Sequence, residues 1–213
     1  ILLWGAYPRI GVDSRNQFDF YRDMPGGLGG LRTVVDQLHA AGVRVFIAYL
    51  PWDQETRRED SRDELLLARL VEAIDADGVY LDTLGETSLL LRHSLDSTRP
   101  GVVLTSELHP PIEQLSLMNQ SWAQAFEDPI PPGLLHLKWL EPRHMQQQIR
   151  RWNRSRQKEI ETAFFNGSGM VVWENIFGAY NPWNEEDCRL WRRAAAMLHA
   201  FAPEFSSDAW DPF

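Results

Sequence analysis

The stretch GVYLD at residues 78–82 decides the fold class, together with GVVLTS at residues 101–106 and VRVFIAYL at residues 43–50. Each is a short run dominated by aliphatic and tyrosine side chains. VRVFIAYL is apolar almost throughout, which is typical of strands that are buried on both faces of a parallel sheet. The three stretches therefore predict three core strands in succession along the chain.

Amphipathic stretches separate these strands. Leu31–Ala41 has its apolar residues at helical spacing, and Gly42 is expected to end that helix. Ser61, with Glu64 three residues later, forms a capping box and predicts the start of a helix that runs to Ile74. The other predicted helices are Leu89–Leu95, a Trp/Phe-bearing segment after a Pro-rich loop, Arg143–Phe165 and Glu185–Phe201, and the other strand candidates are Leu2–Tyr7, Leu134–Trp139 and Gly169–Glu174.

About six strands alternate with helices, which implies βαβ units and a parallel sheet. The carboxylates favour a barrel over an open sheet, because barrel enzymes gather catalytic groups at the carboxyl ends of several strands. An open dinucleotide-binding sheet would need a GxGxxG turn after its first strand. The glycines at 26, 27, 29 and 30 lack that spacing, and we interpret them as a flexible loop. The carboxylates that follow strand candidates are Asp53, Asp82, Glu107 and Glu174.

The expected fold class is therefore α/β, a (β/α)8 TIM barrel. Such a barrel takes about 250 residues, and this sequence has 213. We expect residues 1–213 to form a single catalytic barrel domain, complete or trimmed at its ends, with further domains in the full-length protein.

Composition narrows the range of partners. The net charge of −9 argues against a nucleic-acid partner, because phosphate backbones are bound by clustered Lys and Arg. The basic cluster from Arg150 to Lys158 is interpreted as a solvated helix face. No apolar run approaches the ~18–20 residues that span a bilayer, so no membrane partner is expected. A single cysteine, Cys188, excludes an internal disulfide. Compartment stays open between cytoplasmic and secreted or periplasmic.

Asp82 and Glu107 are the predicted catalytic carboxylates. Residues two apart in a strand share a face, so Asp82 shares a face with Tyr80, and Glu107 shares one with Thr105. Neighbouring strands lie roughly 4.8 Å apart, which suits the ~5–5.5 Å carboxyl separation of retaining glycosidases. We assign Asp82 as the nucleophile, which must be ionised, and Glu107 as the acid/base, which must hold a proton. A single carboxylate at a strand end more often forms a salt bridge or a cap. Two such carboxylates on adjacent strands, both on the inward face, favour a catalytic role.

Further residues are candidate substrate contacts, each with a structural alternative. Trp52 and Asp53 form a sugar subsite or a Pro-Trp turn that is anchored on the core. Glu174 binds sugar hydroxyls, holds the acid/base, or forms a structural ion pair. Glu86 is expected to stabilise a helix N-terminus, with substrate contact as its second candidate role. His109 is a candidate contact with the substrate or with the acid, although a lone loop histidine more often has neither role. The candidate substrate-binding residues are Trp52, Asp53, Tyr80, Glu86, His109, Glu174, Asn175 and Trp183.

No metal or cofactor is expected. The six histidines lack HxH and HExxH spacing, and a Ser-His-Asp triad lacks its GxSxG elbow. Two other functions stay open. A non-catalytic carbohydrate-binding barrel would keep the aromatic residues without a reactive carboxyl separation. A barrel hydrolase or lyase would hold a divalent ion among Asp53, Asp82 and Glu107.

Several segments carry a resemblance to known enzymes. The chain resembles the α-amylase superfamily and related retaining glycosidases in LRTVVDQLHAAGVRVFIAYLPWD, in DGVYLDTL with its aspartate at Asp82, and in VVLTSEL with its glutamate at Glu107. A closer similarity, through most of the chain, is to uncharacterised bacterial glycosidase-like proteins with PWD, LDT, SEL and WEN-type segments. The resemblance implies a retaining mechanism on an oligosaccharide or glycoside substrate.

The chain also departs from the α-amylase pattern. Tyr80 stands where that superfamily has an arginine two residues before its nucleophile. Pro51–Trp52–Asp53 replaces an Asn-His pair, and Trp173–Glu174–Asn175 takes the place of a His-Asp pair. The resemblance therefore supports a glycosidase mechanism and not starch specificity.

Overall fold

The computed structural model describes residues 1–5, 14–53, 58–124, 137, 140–149, 156–173, 175–176, 179–180, 182–207 and 209. The chain divides into two compact units, Ile1–Met118 and Asn119–Phe213. Both units are α/β. The prediction of one catalytic domain over residues 1–213, and of eight strand–helix repeats, stays a prediction.

The first unit alternates strands and helices from its amino end. Its four strands pair in chain order, and every pairing described between them is parallel. The predicted parallel α/β arrangement is confirmed here. The elements are β1 (Leu2–Leu3), α1 (Gln17–Arg22), α2 (Gly27–Ala40), β2 (Phe46–Tyr49), α3 (Asp63–Ile74), β3 (Gly78–Leu81), α4 (Leu89–Thr98) and β4 (Val103–Ser106), followed by a 3-10 turn at Ile112–Gln114.

The second unit also contains parallel strands. Its first three strands pair in chain order as β5–β6–β7, and β8 and β9 form a short antiparallel pair. The elements are β5 (Gln120–Gln124), β6 (Met145–Ile149), α5 (Arg156–Phe165), β7 (Gly169–Met170), β8 (Asn175–Ile176), β9 (Ala179–Tyr180), α6 (Glu185–Ala200) and α7 (Ala202–Phe205). No helix in the described part of the chain has the length and apolar character needed to cross a membrane.

The strands of the first unit have one face in the apolar core. Ile47, Val79, Leu81 and Leu104 are fully buried there, among apolar side chains of α2, α3 and α4. Because side chains alternate along a strand, the residues between them point to the opposite face. The predicted orientation of Val79 and Leu81 towards the helices is therefore confirmed.

Helix ends follow local chemistry, with one correction. Gly42 has a φ of 76°, and the Val43 N–H bonds to the Leu38 carbonyl, so α2 ends as predicted. The predicted capping box of Ser61 and Glu64 is wrong. Helix α3 begins at Asp63 after Arg62, with no side-chain cap, and the Glu64 carboxylate instead accepts a bond from the Ser88 hydroxyl at 3.2 Å.

Several predicted elements differ in the structure. The helix predicted at Arg143–Phe165 is wrong at Met145–Ile149, which form β6, and within the described residues its helical part is α5 (Arg156–Phe165). The Trp/Phe-bearing helix is also wrong at Trp122, which lies in β5. The glycines at 27, 29 and 30 lie in helix α2 rather than in a loop. Within the described residues 169–173, the strand predicted at Gly169–Glu174 is limited to Gly169–Met170. The candidate at Leu134–Trp139 lies outside the described residues except for Leu137.

Candidate active site

Asp82 directly follows β3 and is held by groups from two other strand ends. Its backbone N–H donates to the Tyr49 carbonyl at 3.0 Å, which continues the pairing with β2. Its Oδ2 accepts a hydrogen bond from the Trp4 indole N–H at 3.1 Å. The residue is 1% exposed. A buried carboxylate is costly unless it is hydrogen-bonded or used in chemistry, and Trp4 supplies part of that compensation.

Glu107 stands in the equivalent place after β4. Its backbone N–H donates to the Leu81 carbonyl at 3.1 Å, and its Oε2 accepts the Thr83 N–H at 2.7 Å. Thr83 has a φ of 61°, in the left-handed region that β-branched residues rarely adopt. Strained backbone of this kind often occurs at functional sites. Here it accompanies the hydrogen bond from the Thr83 amide to the Glu107 carboxylate.

Asp82 and Glu107 occupy matching positions after adjacent strands. The last paired residues of β3 and β4 are Leu81 and Ser106, so Asp82 and Glu107 are the next residues in the same register. Adjacent strands are about 4.8 Å apart. Leu81 points into the apolar core, so alternation directs the Asp82 side chain to the opposite face.

Two aromatic rings stand beside Asp82. The Trp4 and Tyr80 rings meet edge to face, with centroids 6.1 Å apart and planes at 75°. Tyr80 is 1% exposed and pairs in register with Thr105 of β4. Trp4 was not among the predicted site residues. Strand alternation could have suggested it, because Leu3 packs against the core and its neighbour therefore points the other way.

The loops after β3 and β4 are tied together. The Leu108 N–H donates to the Leu84 carbonyl at 3.1 Å. A Cβ at Gly85 would lie 2.8 Å from the His109 carbonyl oxygen, so only glycine fits this close approach. These contacts fix both loops beside the carboxylates, with the side chains of Glu86 and His109 exposed to solvent.

Helix α1 fixes the carboxyl end of β2. The Gln17 side-chain amide donates to the Leu50 carbonyl at 3.0 Å and accepts the Leu50 N–H at 2.8 Å, as a neighbouring strand would. The Tyr21 hydroxyl accepts the Ala48 N–H at 2.8 Å. Burial raises the pKa of Tyr21 well above its ordinary value, so it stays a neutral donor and acceptor. Neither Gln17 nor Tyr21 is among the residues predicted from the sequence.

The structure brings together only some of the predicted site residues. Asp82, Glu107 and Tyr80 lie at the carboxyl ends of β3 and β4. Trp52 and Asp53 follow β2 and are half-buried. Glu174 lies outside the described residues, as does the side chain of Asn175.

Trp183 lies in the second unit, just before helix α6. The Arg156 guanidinium sits over its ring, 4.1 Å from the ring centroid. The prediction that the Arg150–Lys158 cluster is a solvated face is wrong for Arg156, which is 1% exposed. Arg156 also donates to the Trp173 carbonyl at 3.2 Å and lies 3.7 Å from the Glu159 carboxylate. Cation–π contact and charge pairing offset the cost of burying Arg156.

The fold has likenesses among solved structures. A GH27 β-L-arabinopyranosidase from Geobacillus stearothermophilus, in complex with arabinose, matches 83% of this chain at 11% identity with a TM-score of 0.51. This chain covers 58% of that enzyme's length, which is less than two thirds. The likeness shows a distant glycosidase-like fold.

Two weaker likenesses accompany it. An α-amylase from Malbranchea cinnamomea matches 84% of this chain at 10% identity, over 57% of its own length, with a TM-score of 0.41. A UDP-N-acetylglucosamine 4-epimerase from Bacillus cereus matches 84% at 13% identity, over 69% of its own length, with a TM-score of 0.22. Both scores are too low to support an inference. No family model matches the chain, and no curated protein matches it significantly.

Proposed function

We propose that this chain carries the active site of a retaining glycoside hydrolase, with Asp82 as nucleophile and Glu107 as acid/base. One observation carries the proposal: two buried carboxylates occupy matching positions after adjacent parallel strands. Their expected strand separation of about 4.8 Å is close to the ~5–5.5 Å carboxyl separation of retaining enzymes, whereas inverting enzymes need ~6.5–9.5 Å.

The environment of the pair supports an acid–nucleophile division. Like charges at this spacing repel, which favours a pair that carries one proton between its two members. Asp82 accepts a hydrogen bond from a donor that cannot itself accept one, the Trp4 indole. That bond favours an ionised Asp82. The Thr83 backbone N–H stabilises an ionised Glu107 in the same way, so the two bonds do not by themselves assign the proton, and the proposed roles are those assigned from the sequence.

The reaction then proceeds in two steps. Asp82 attacks the anomeric carbon while Glu107 donates its proton to the departing oxygen, which forms a covalent glycosyl-enzyme and releases the aglycone. Glu107, now a carboxylate, takes a proton from water as that water attacks the anomeric carbon and frees Asp82. The mechanism requires no redox cofactor or metal.

The substrate class proposed is a glycoside or oligosaccharide, in line with the glycosidase-like fold. Tyr80 is the proposed contact beside the nucleophile, and the half-buried pair of Trp52 and Asp53 is proposed to bind sugar from the end of β2. Further proposed substrate contacts are Glu86, His109, Glu174, Asn175 and Trp183. We also propose that further domains accompany this one in the full-length protein.

The test is hydrolysis of a panel of aryl glycosides whose phenol leaving groups range from good to poor. Asp82→Asn should lower kcat/KM by at least ~10³-fold on every cleaved glycoside. Glu107→Gln should lose ~10²–10⁴-fold on poor leaving groups and much less on good ones, which need no protonation. Glu72→Ala removes an exposed carboxylate on α3 and is the matched control, with unchanged activity expected.

Three outcomes would contradict the proposal. Full activity in both carboxylate variants would move the site elsewhere. Equal losses on all leaving groups for Glu107→Gln would remove its role as acid. Sugar binding without hydrolysis by the wild-type protein would favour a carbohydrate-binding barrel instead.

A further inference from the structure

Trp4 reaches Asp82 across an intervening strand. It directly follows β1, whereas Asp82 follows β3, two strands away and 78 residues further along the chain. The register of β1 with β2 ends at Leu3 opposite Ile47, and Trp4 and Ala48 are the next residues of the two segments. Two strand spacings amount to roughly 10 Å, so the indole has to pass over β2 to place its N–H at the Asp82 carboxylate.

The β2 residue in register with Tyr80 is small. Ala48 is 3% exposed and pairs in register with Tyr80 on the face that carries Asp82. A methyl group leaves room above β2 that a larger side chain would fill. The Tyr80 ring then meets the indole edge to face at 6.1 Å. The contact with the Tyr80 ring and the bond to Asp82 restrict the orientation of the indole.

We propose that Trp4 is a positioning residue for the nucleophile, an inference that rests on the proposed function. The rigid indole donates to Oδ2 of Asp82. This bond holds the Asp82 carboxylate in one orientation as it attacks the anomeric carbon. Because an indole N–H donates and never accepts, it stabilises the ionised carboxylate over the protonated one. Trp4 acts through Asp82 and makes no bond to the reacting carbon.

The key variant is Trp4→Phe, which keeps an aromatic ring beside Tyr80 and removes the N–H. Hydrogen bonds to charged groups are strong enough that their loss corresponds to ~10- to 100-fold in rate. We expect that loss in kcat of the best aryl glycoside substrate, with KM changed less than threefold. The acid limb of the pH profile of kcat/KM should move to higher pH, because the ionised nucleophile has lost its donor. A purely structural role would leave that limb in place.

A second measurement tests the hydrogen bond itself without any substrate. In the proton–nitrogen NMR spectrum, the indole N–H signal that disappears in Trp4→Phe belongs to Trp4. Asp82→Asn should shift this signal strongly. Trp191→Phe changes a half-buried tryptophan in α6 and is the control for the spectrum, with the Trp4 signal unchanged.

Three results would each contradict a different part of the proposal. Wild-type kcat and an unmoved acid limb in Trp4→Phe would overturn the positioning role and leave the proposed function standing. A Trp4 signal that ignores Asp82→Asn would overturn the contact. If the wild type cleaves no glycoside in the panel, the proposed function fails and the positioning role falls with it, whatever the spectrum shows.

Discussion

At the scale of single residues, Asp77 forms several charged contacts at the amino end of β3, whereas Asp82 follows the carboxyl end of that strand. Its Oδ2 accepts the Val45 N–H at 2.8 Å and lies 2.7 Å from His39 Nε2. Its Oδ1 accepts from Arg44 at 3.1 Å and from Arg99 at 3.3 Å. Groups at the amino ends of barrel strands generally serve stability and those at the carboxyl ends chemistry. We therefore assign the Asp77 cluster to stability.

Asp77→Asn should destabilise the protein in a pH-dependent way. Burial by itself would raise the pKa of Asp77, but the bonds from Val45, His39 and Arg99 outweigh it and hold this pKa below the ordinary value. A lowered folded-state pKa contributes stability that is complete above the unfolded pKa of about 3.9 and is lost as pH falls through the folded value. We expect a cost of about 3 kcal/mol at pH 7, which shrinks below pH ~4. Urea unfolding from pH 7 to pH 3 measures both.

The control for this prediction is Asp36→Asn. Asp36 forms an exposed ion pair with Arg32 one helical turn away, and such pairs contribute less than about 0.5 kcal/mol. A wild-type-like stability for Asp77→Asn at pH 7, or a difference from wild type that does not change down to pH 3, would remove Asp77 from its stabilising role.

At the scale of elements, two neighbouring glycines in α2 should respond oppositely to alanine. No described atom lies within 4 Å of a Cβ built on Gly29, whereas a Cβ on Gly30 would collide with the Pro25 carbonyl. Gly29→Ala should therefore stabilise by about 0.5–1 kcal/mol through helix propensity. Gly30→Ala should destabilise, because backbone must move. Thermal melting measures both as shifts of opposite sign, with a rise of a few degrees for Gly29→Ala, and shifts of the same sign would contradict the explanation.

The elements that the sequence predicted best are β2, β3 and β4. The central residues of these strands are almost all apolar, so the local sequence pattern and the burial in the fold both indicate a strand. The prediction from the sequence is wrong at β6 (MQQQI), because glutamine favours helices in isolated peptides. In the structure, Gln146 and Gln148 are buried and pair with Ser121 and Ala123 of β5, and Gln148 also pairs with β7. Strand pairing with distant segments overrides local propensity there, and a single sequence does not reveal those partners.

The candidate site was predictable in part, for a related reason. Alternation along β3 and β4 is a local property, so the shared face of Tyr80 and Asp82 follows from the sequence. The link from Trp4 to Asp82 joins residues 78 positions apart, and no local pattern indicates it. The left-handed backbone at Thr83 could not be predicted from the sequence either, because a threonine does not indicate a positive φ.

At the scale of the whole molecule, the described parts of the two units differ in how many apolar side chains they bury. The first holds a continuous apolar cluster that runs from Phe18 to Met118. The described part of the second buries fewer apolar residues and several polar or charged ones. Those are Ser121, His144, Gln146, Gln148, Arg156 and Glu159. Apolar burial stabilises by about 25 cal/mol per Å², whereas buried polar groups at best balance their desolvation.

The two units should therefore differ in native-state hydrogen exchange. Local opening requires least free energy where few apolar contacts are lost. Amides of β3, whose residues Val79 and Leu81 are fully buried, should exchange only through global unfolding, at the slowest rate in the chain. Amides of β6 should exchange faster, through an opening confined to the second unit, and mild denaturant should accelerate that exchange less than it accelerates exchange in β3, because the partial opening exposes less surface. Mass spectrometry of peptic peptides measures both at neutral pH. Equal protection with equal denaturant dependence would mean that the chain unfolds as one cooperative body, and that the polar interior of the second unit costs no stability relative to the first.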